Sequence, residues 1–384
     1  MFINTTGINN TSVGFQALYY NTIGTNNSAF GVESLLSNTA GANNSAFGYK
    51  SLYSNTTGAR NNAFGYKALN ANTIGSNNSA FGYLALRYNS TGSGNSAVGH
   101  MALRYNTIGT YNNAVGYHAL LSSTTGAFNN AFGSYALRNN TTGVKNNAFG
   151  NKALYNNTTG VNNSAFGYYA LNSNKTGDNN SAFGFYALRD NTKNNNSAFG
   201  RSSLLSNTTG SNNSAFGYNA GSAVTTGTNL TIIGYNAAAS AVGATNEVTL
   251  GNSSVATLRC QVTTITALSD ERDKTDINNV EVGLSFVEKL RPVTFKWDKR
   301  EWYTDGNRDG SKKDDTTQTG FIAQELKALQ EETGTEYLKL VYESNPDKLE
   351  ATPGNLIVPL IKAVQELNEK IKILENKVRI LENR

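Results

Sequence analysis

One phrase of seventeen residues, close to NNSAFGYxALxxNTTGx, recurs along the first two thirds of the chain, and few folds tolerate so strict a period. Its first glycine returns at Gly14, Gly31, Gly48, Gly65 and so on to Gly251, seventeen residues apart except for one step of sixteen from Gly184 to Gly200. A unit this short cannot hold a pair of helices, so stacked β-coils are the natural solution. At about 4.8 Å per rung, roughly fifteen coils would make a rod on the order of 70 Å long.

Within the unit, the columns suggest an inside and an outside. The residue before each glycine is apolar, as Phe30, Phe47, Phe64, Val98, Phe132, Phe166 and Leu250 illustrate, and this column is expected to be the buried inner stack. A second column, Leu18, Leu35, Leu52 and onward to Leu188, stands four residues after the glycine. Two short strands per coil are therefore expected, SAFGY and ALYSN. The NTTG segment between them is read as a turn in which Gly takes φ > 0 and Asn or Thr bonds back to the backbone. In the short step, Asn191–Asn194 (NTKN) stands in its place, with Asn as the substitute for that geometry. The small Ala29, Ala46, Ala63 and Ala80 are expected to let three rolls approach closely.

These repeats resemble the head repeats of trimeric autotransporter adhesins, whose NSxAxG-type units build a left-handed β-roll. They resemble more closely the NNTAFGYxAL repeats of phage tail fibres. The resemblance covers residues 4 to about 252. Residue 4 already lies in register, so no attachment domain is expected ahead of it.

The composition then changes abruptly. Of 32 Lys+Arg and 27 Asp+Glu, residues 1–250 hold 12 and 4, a net +8, which leaves 20 and 23, a net −3, for the remainder. The two parts are different objects. The basic residues of the first part are scattered, which argues against nucleic acid and leaves room for acidic glycans. The single Cys260 excludes a disulfide framework within one chain and fits folding in a reducing cytoplasm. The first residues lack a secretion signal, and no run of about 18 apolar residues predicts a membrane span. No metal or cofactor is expected.

After a stretch that alternates like strands, residues 253–268, four motifs follow in order. They are SDERDKTDI (Ser269–Ile277), LRPVTFKW (Leu290–Trp297), GFIAQEL (Gly320–Leu326) and a terminal helix. This segment, residues 269–384, resembles the intramolecular chaperone auto-processing domain of phage tailspikes, endosialidases and neck appendages. The resemblance implies a Ser-Lys dyad at Ser269 and Lys274 that cleaves the chain at or beside Ser269. A serine hydroxyl needs a neighbouring base, and a lysine serves as one where burial lowers its pKa. The family usually has Leu before that Lys, and Asp273 stands there instead. Asp270 and Gln324 are supporting candidates, either polarising the scissile carbonyl or orienting the dyad, or else ordinary hydrogen-bonding residues.

Over residues 356–384, Ile357, Val364, Ile371 and Val378 fall at heptad a and Leu360, Leu367, Leu374 and Leu381 at d. Lys370 with Glu375 and Lys377 with Glu382 sit at g and the following e, placed to pair between parallel chains. Such a seam nominally favours two strands. The resemblance implies a trimer, and Ile373 and Ile380 at c widen the apolar face.

The fold expected is thus an all-β solenoid rod (1–252), a β linker (253–268) and an α+β chaperone domain (269–384) ending in a parallel coiled coil. The function expected is a viral tail fibre or spike, made in the host cytoplasm and carried on the virion. Its partners would be two further copies, virion tail proteins and a host surface glycan or receptor. Tyr49, Tyr66, Tyr83, Tyr117 and Tyr168 follow repeat glycines and form an expected aromatic ladder for sugar rings, or else pack against neighbouring coils or chains. His100 and His118 read as variants of that column. A polysaccharide depolymerase would need two carboxylates within about 10 Å. The four acids before residue 250, Glu33, Asp178, Asp190 and Glu247, share no column. A bacterial surface adhesin is the other alternative.

Overall fold

The computed structural model describes residues 3–255, 257–259, 269–304 and 306–383. The chain divides into two compact units, Met1–Leu258 and Arg259–Arg384.

The first unit is a parallel β-solenoid. Each coil gives one three-residue strand, from β1 (Thr11–Val13) to β13 (Ser214–Phe216), followed by the longer β14 (Thr228–Ile233) and β15 (Thr245–Leu250). All pair in chain order in one fifteen-stranded sheet. Equivalent residues of successive coils lie opposite each other, as in Ala46↔Ala63 and Phe47↔Phe64, so the register is the repeat itself. The sixteen-residue step keeps it, with Ser181 opposite Ser197.

The expected second strand is not one. Its leucines adopt φ near +50°, as in Leu52 (φ 48°) and Leu103 (φ 50°), so the chain turns a corner where an extended segment was anticipated. Rung-to-rung bonds nevertheless continue through it, such as Leu52 N–H to Ala68 O at 3.0 Å. A left-handed residue costs about 1–2 kcal/mol. Full burial of a leucine stabilises by about 1.5–3 kcal/mol, and the whole column is buried.

The assignment of inside and outside is corrected as well. Each strand points its middle Ala inward and its Phe outward: Ala63 is fully buried while Phe132 is 38% exposed and Phe216 42%. A seventeen-residue coil encloses a thin cross-section, already filled by one Leu, two small residues and two Asn, with no space for a ring on every rung. The phenylalanines instead stack on the outer surface, centroids 4.6–5.0 Å apart and tilted by 3–9°. Phe64 and Phe166 are half-buried by that stacking. Ala29, Ala46, Ala63 and Ala80 line the interior of a single coil stack, so they cannot be where three rolls meet.

The asparagines hold the interior together. One buried column includes Asn38, Asn55 and Asn72. Each Nδ2 donates to the Oδ1 one coil back at 2.7–2.9 Å and to the carbonyl of the glycine three residues on at 2.9–3.0 Å. A second column includes Asn44 and Asn61, whose Nδ2 donates to those same carbonyls, Gly58 O and Gly75 O, at 2.8 Å. Its Oδ1 accepts the backbone N–H of the next rung's Asn, as from Asn61 to Asn44 at 3.0 Å. Each buried glycine carbonyl thus receives two amide donors, which meets its hydrogen-bonding requirement without water.

This also corrects the turn. The NTTG glycines have ordinary φ and are glycine for space: a Cβ on Gly41 would lie 2.5 Å from Gly58 O and 2.4 Å from Asn38 Oδ1. Positive φ belongs instead to the strand-end glycine, such as Gly48 at +132°. In the short coil Lys193 faces Gly177, and Asn191 Nδ2 donates to Lys193 O at 2.8 Å, so the segment omits a threonine position and Asn194 does not serve as the left-handed residue. At the last coils both Asn columns give way together to a buried aliphatic pair, Val224 and Leu230. There Gly221 takes the leucine position at φ 63° and Ile232 fills the space.

Of the expected β linker, residues 253–255 and 257–259 carry no strand, and Asn252 starts a turn closed by Val255 N–H to Asn252 O. Residues 260–268, with Cys260, lie outside the described residues.

The second unit contains α1 (Leu284–Val287), β16 (Val293–Phe295), β17 (Gln318–Gly320), α2 (Ala323–Thr333), β18 (Val341–Tyr342), β19 (Glu350–Ala351) and α3 (Ile357–Glu382). Phe286, Leu326, Leu329, Leu340 and Leu356 form its small core. Buried Gln330 ties α2 to the following loop, donating to Thr335 O at 2.9 Å and accepting from Leu340 N–H at 3.2 Å.

Candidate self-cleavage site

The SDERDKTDI segment folds on itself. Asp270 caps a single 3-10 turn, Glu271–Asp273, by accepting the Arg272 N–H at 2.9 Å. Lys274 N–H donates to Glu271 O at 3.0 Å and closes the turn. The chain reversal brings Lys274 Nζ to 2.6 Å from Ser269 Oγ and 3.2 Å from the Ser269 carbonyl oxygen. The two residues singled out in the sequence are therefore in direct hydrogen-bond contact across one turn. Both are exposed in the single chain.

Asp270 has a different partner. Its carboxylate holds the Arg272 guanidinium through two bonds, at 3.0 and 2.6 Å, and this pairing lowers the Asp270 pKa. It shapes the turn and leaves the lysine to the serine. Among the described residues no ion pair joins Asp273 to Lys274, and no hydrogen bond links Gln324 to the dyad. Gln324 is exposed in the first turn of α2.

The other two motifs meet each other. LRPVTFKW supplies β16, which pairs antiparallel with β17, the strand that runs into GFIAQEL, with Val293 opposite Gly320. Arg291 and Glu325 add an ion pair through both guanidinium donors, and Arg291 lowers the Glu325 pKa. This clamp went unnoticed in the sequence, although its opposite charges stand in two motifs already identified.

Residues 269–335 match the family model of peptidase S74, described as the chaperone of endosialidase. The chain carries an endosialidase-type chaperone domain. Domains of this type are self-cleaving intramolecular chaperones, typical of phage tail fibres and endosialidases and acting in trimeric tail proteins. In this chain the match begins at Ser269, C-terminal to the repeat unit. Comparison with curated proteins and with solved structures yields no match.

The last helix of the second unit, α3, leaves its seam uncovered in the single chain. At a, Val364 is 63% exposed; at d, Leu381 is 68% exposed. Such a stripe on one face of α3 is the pattern of a helix that packs on copies of itself. On the rod, Tyr49, Tyr66, Tyr83, His100 and Tyr117 form one outer ladder with centroids 5.1–5.4 Å apart. Tyr168 stacks on Phe185 farther along. His100 belongs to this column as expected. His118 does not: it sits one residue later in its coil and lies flat against Tyr117 at 3.9 Å. Among the described residues no group of acids, His or Cys is arranged to hold a metal, and no helix is long and apolar enough to cross a membrane.

Proposed function

We propose that this chain is the rod of a viral tail fibre or spike, assembled as a parallel homotrimer by its C-terminal chaperone and then cut at or beside Ser269. The observation that carries the reading is the 2.6 Å contact between Lys274 Nζ and Ser269 Oγ at the first residue of the chaperone match. In the reaction a neutral Lys274 takes the Oγ proton while Oγ attacks the carbonyl carbon of the scissile peptide. The departing amine takes up a proton, and water hydrolyses the resulting ester. The step needs the neutral amine, which removal of a lysine from water favours, so burial of the dyad by neighbouring chains is the event that would switch cleavage on.

The rod explains why such a chaperone is needed. Sliding one chain by seventeen residues past another presents nearly the same surface, so misregistered assemblies are almost as stable as the correct one. A helix seam that fixes register before the coils pack removes that ambiguity. Cleavage afterwards leaves a rod protected by its unfolding barrier. Mounted on a particle, the rod presents its stacked outer columns to a host surface. Sedimentation tests the assembly: Ser269→Ala protein should run as a single trimer, and a stable monomer or dimer contradicts the reading.

A further inference from the structure

From Ser34 to Gly177 the rod contains no acidic residue, and within that span three arginines, Arg87, Arg104 and Arg138, share one column. Arg87 and Arg104 lie one coil apart, stacked on Tyr88 and Tyr105 with guanidinium carbons 4.7 and 4.9 Å from the ring centroids. Arg138 stands two coils beyond Arg104, held by Asn139 Oδ1 and the Tyr155 hydroxyl at 3.1 and 3.3 Å. The Nε donors of all three arginines are buried without a hydrogen-bond partner. His118, near Arg138 and Arg104, is likewise unpartnered at both ring nitrogens. Burial first, and then these arginines and His100, lower its pKa. A cluster of cations with no carboxylate among them is poised for an anion that the chain does not itself supply.

Beside it the tyrosine stack stops short. Tyr88 and Tyr105 are parallel, 5.5 Å apart and tilted by 5°, but the next coil places Ser122 in their column. An open cleft of about 460 Å³ results, lined by Tyr88, Tyr105, Thr107, Ser122 and Thr124. Tyr105, the last ring of that pair, is 40% exposed beside it.

We propose that this edge of the rod binds an acidic polysaccharide, one sugar ring stacking on Tyr105 in the place the next tyrosine would take and its neighbours' carboxylates meeting Arg104, Arg138 and Arg87. A chain of uronic acids fits because every sugar carries a carboxylate, so a ring held at Tyr105 brings its neighbours' charges to an edge that has arginines and no acid of its own. Three arginines on one edge are too few for the broad basic field that duplex DNA requires. The site is separate from the Tyr49–Tyr117 ladder. It rests on the attachment reading above and names the class of receptor.

The test titrates the full-length protein with oligogalacturonate at low salt, beside cello-oligosaccharide of equal length and a DNA duplex of equal charge. Oligogalacturonate should bind at least tenfold more tightly than either. Ser122→Tyr, which extends an existing stack and so preserves the fold, should weaken oligogalacturonate binding at least tenfold, as should Arg104→Gln combined with Arg138→Gln. Equal binding by Ser122→Tyr, or DNA binding as tight as oligogalacturonate, overturns the site. Fluorescently labelled rods applied to a panel of bacterial surfaces separate the two claims. If rods adhere and Ser122→Tyr rods adhere equally, this site is wrong and attachment stands. If rods bind oligogalacturonate through the site yet adhere to no surface, the site stands and the attachment reading fails.

Discussion

The interior asparagine column loses its asparagine at one place in mid-rod, and restoring it should stabilise the protein. Ser123 stands where every neighbouring coil has Asn. As a result Asn106 Oδ1 and Ser123 Oγ are both buried without a partner, and Asn140 Nδ2 keeps only its bond to Gly143 O at 3.1 Å. In intact coils such as that of Asn72 the amide donates to the previous Oδ1 and to the glycine carbonyl, both at 2.9 Å, and accepts from Asn89 at 2.8 Å. Ser123→Asn should restore all three bonds. Each net buried hydrogen bond contributes about 0.5–1.5 kcal/mol. After the side-chain entropy of ordering the amide, a gain of about 2 kcal/mol per chain is expected. If the rod opens first at this break, unfolding in guanidinium should slow by roughly 30-fold, since about 1.4 kcal/mol is a factor of ten. Ser123→Ala is the control: it removes an orphaned hydroxyl and should change the rate little. The assay is unfolding kinetics by far-ultraviolet circular dichroism in a Ser269→Ala background. A Ser123→Asn rod that unfolds as fast as its parent, or a Ser123→Ala rod that unfolds markedly faster, would refute the ladder as the source of stability.

Two further outcomes follow from the same geometry. Gly41→Ala should cost about 3 kcal/mol or more, read as a lowered denaturation midpoint, because its Cβ overlaps Gly58 O and Asn38 Oδ1; exposed Thr57→Ala should cost less than about 0.5 kcal/mol. Leu367→Glu together with Leu374→Glu places charges in the uncovered seam of α3. That variant should sediment as a monomer and, because its dyad stays exposed, should remain uncleaved.

Much of this fold was legible because in-register parallel stacking turns sequence period directly into spatial neighbourhood: Phe47 lies over Phe64 for the same reason that they are seventeen apart. Inside and outside were not legible from hydrophobicity. A thin coil buries Ala46, Leu52 and Asn55 and leaves Phe47 outside, and only the carbonyl of Gly58 explains why an amide belongs within. A signal was present in the asparagine columns, which are as regular as the phenylalanines and yield together to Val224 and Leu230. The left-handed leucines carry no such sign, since φ +50° at Leu52 is imposed by the coil against the residue's own preference. The dyad was legible because its motif is compact: one capped turn joins Ser269 to Lys274. The Arg291–Glu325 clamp spans two motifs and needed the pairing of β16 with β17 to be seen.

The central claim, a rod carried by a chaperone that removes itself, is tested most directly by intact mass and denaturing electrophoresis of the purified chain. Wild type should give a rod fragment ending at or beside Ser269 and a second fragment holding the residues after the cut, while Ser269→Ala and Lys274→Ala stay full length and still form trimers. An intact wild-type chain within a formed trimer, or Ser269→Ala cut as well as wild type, would contradict it.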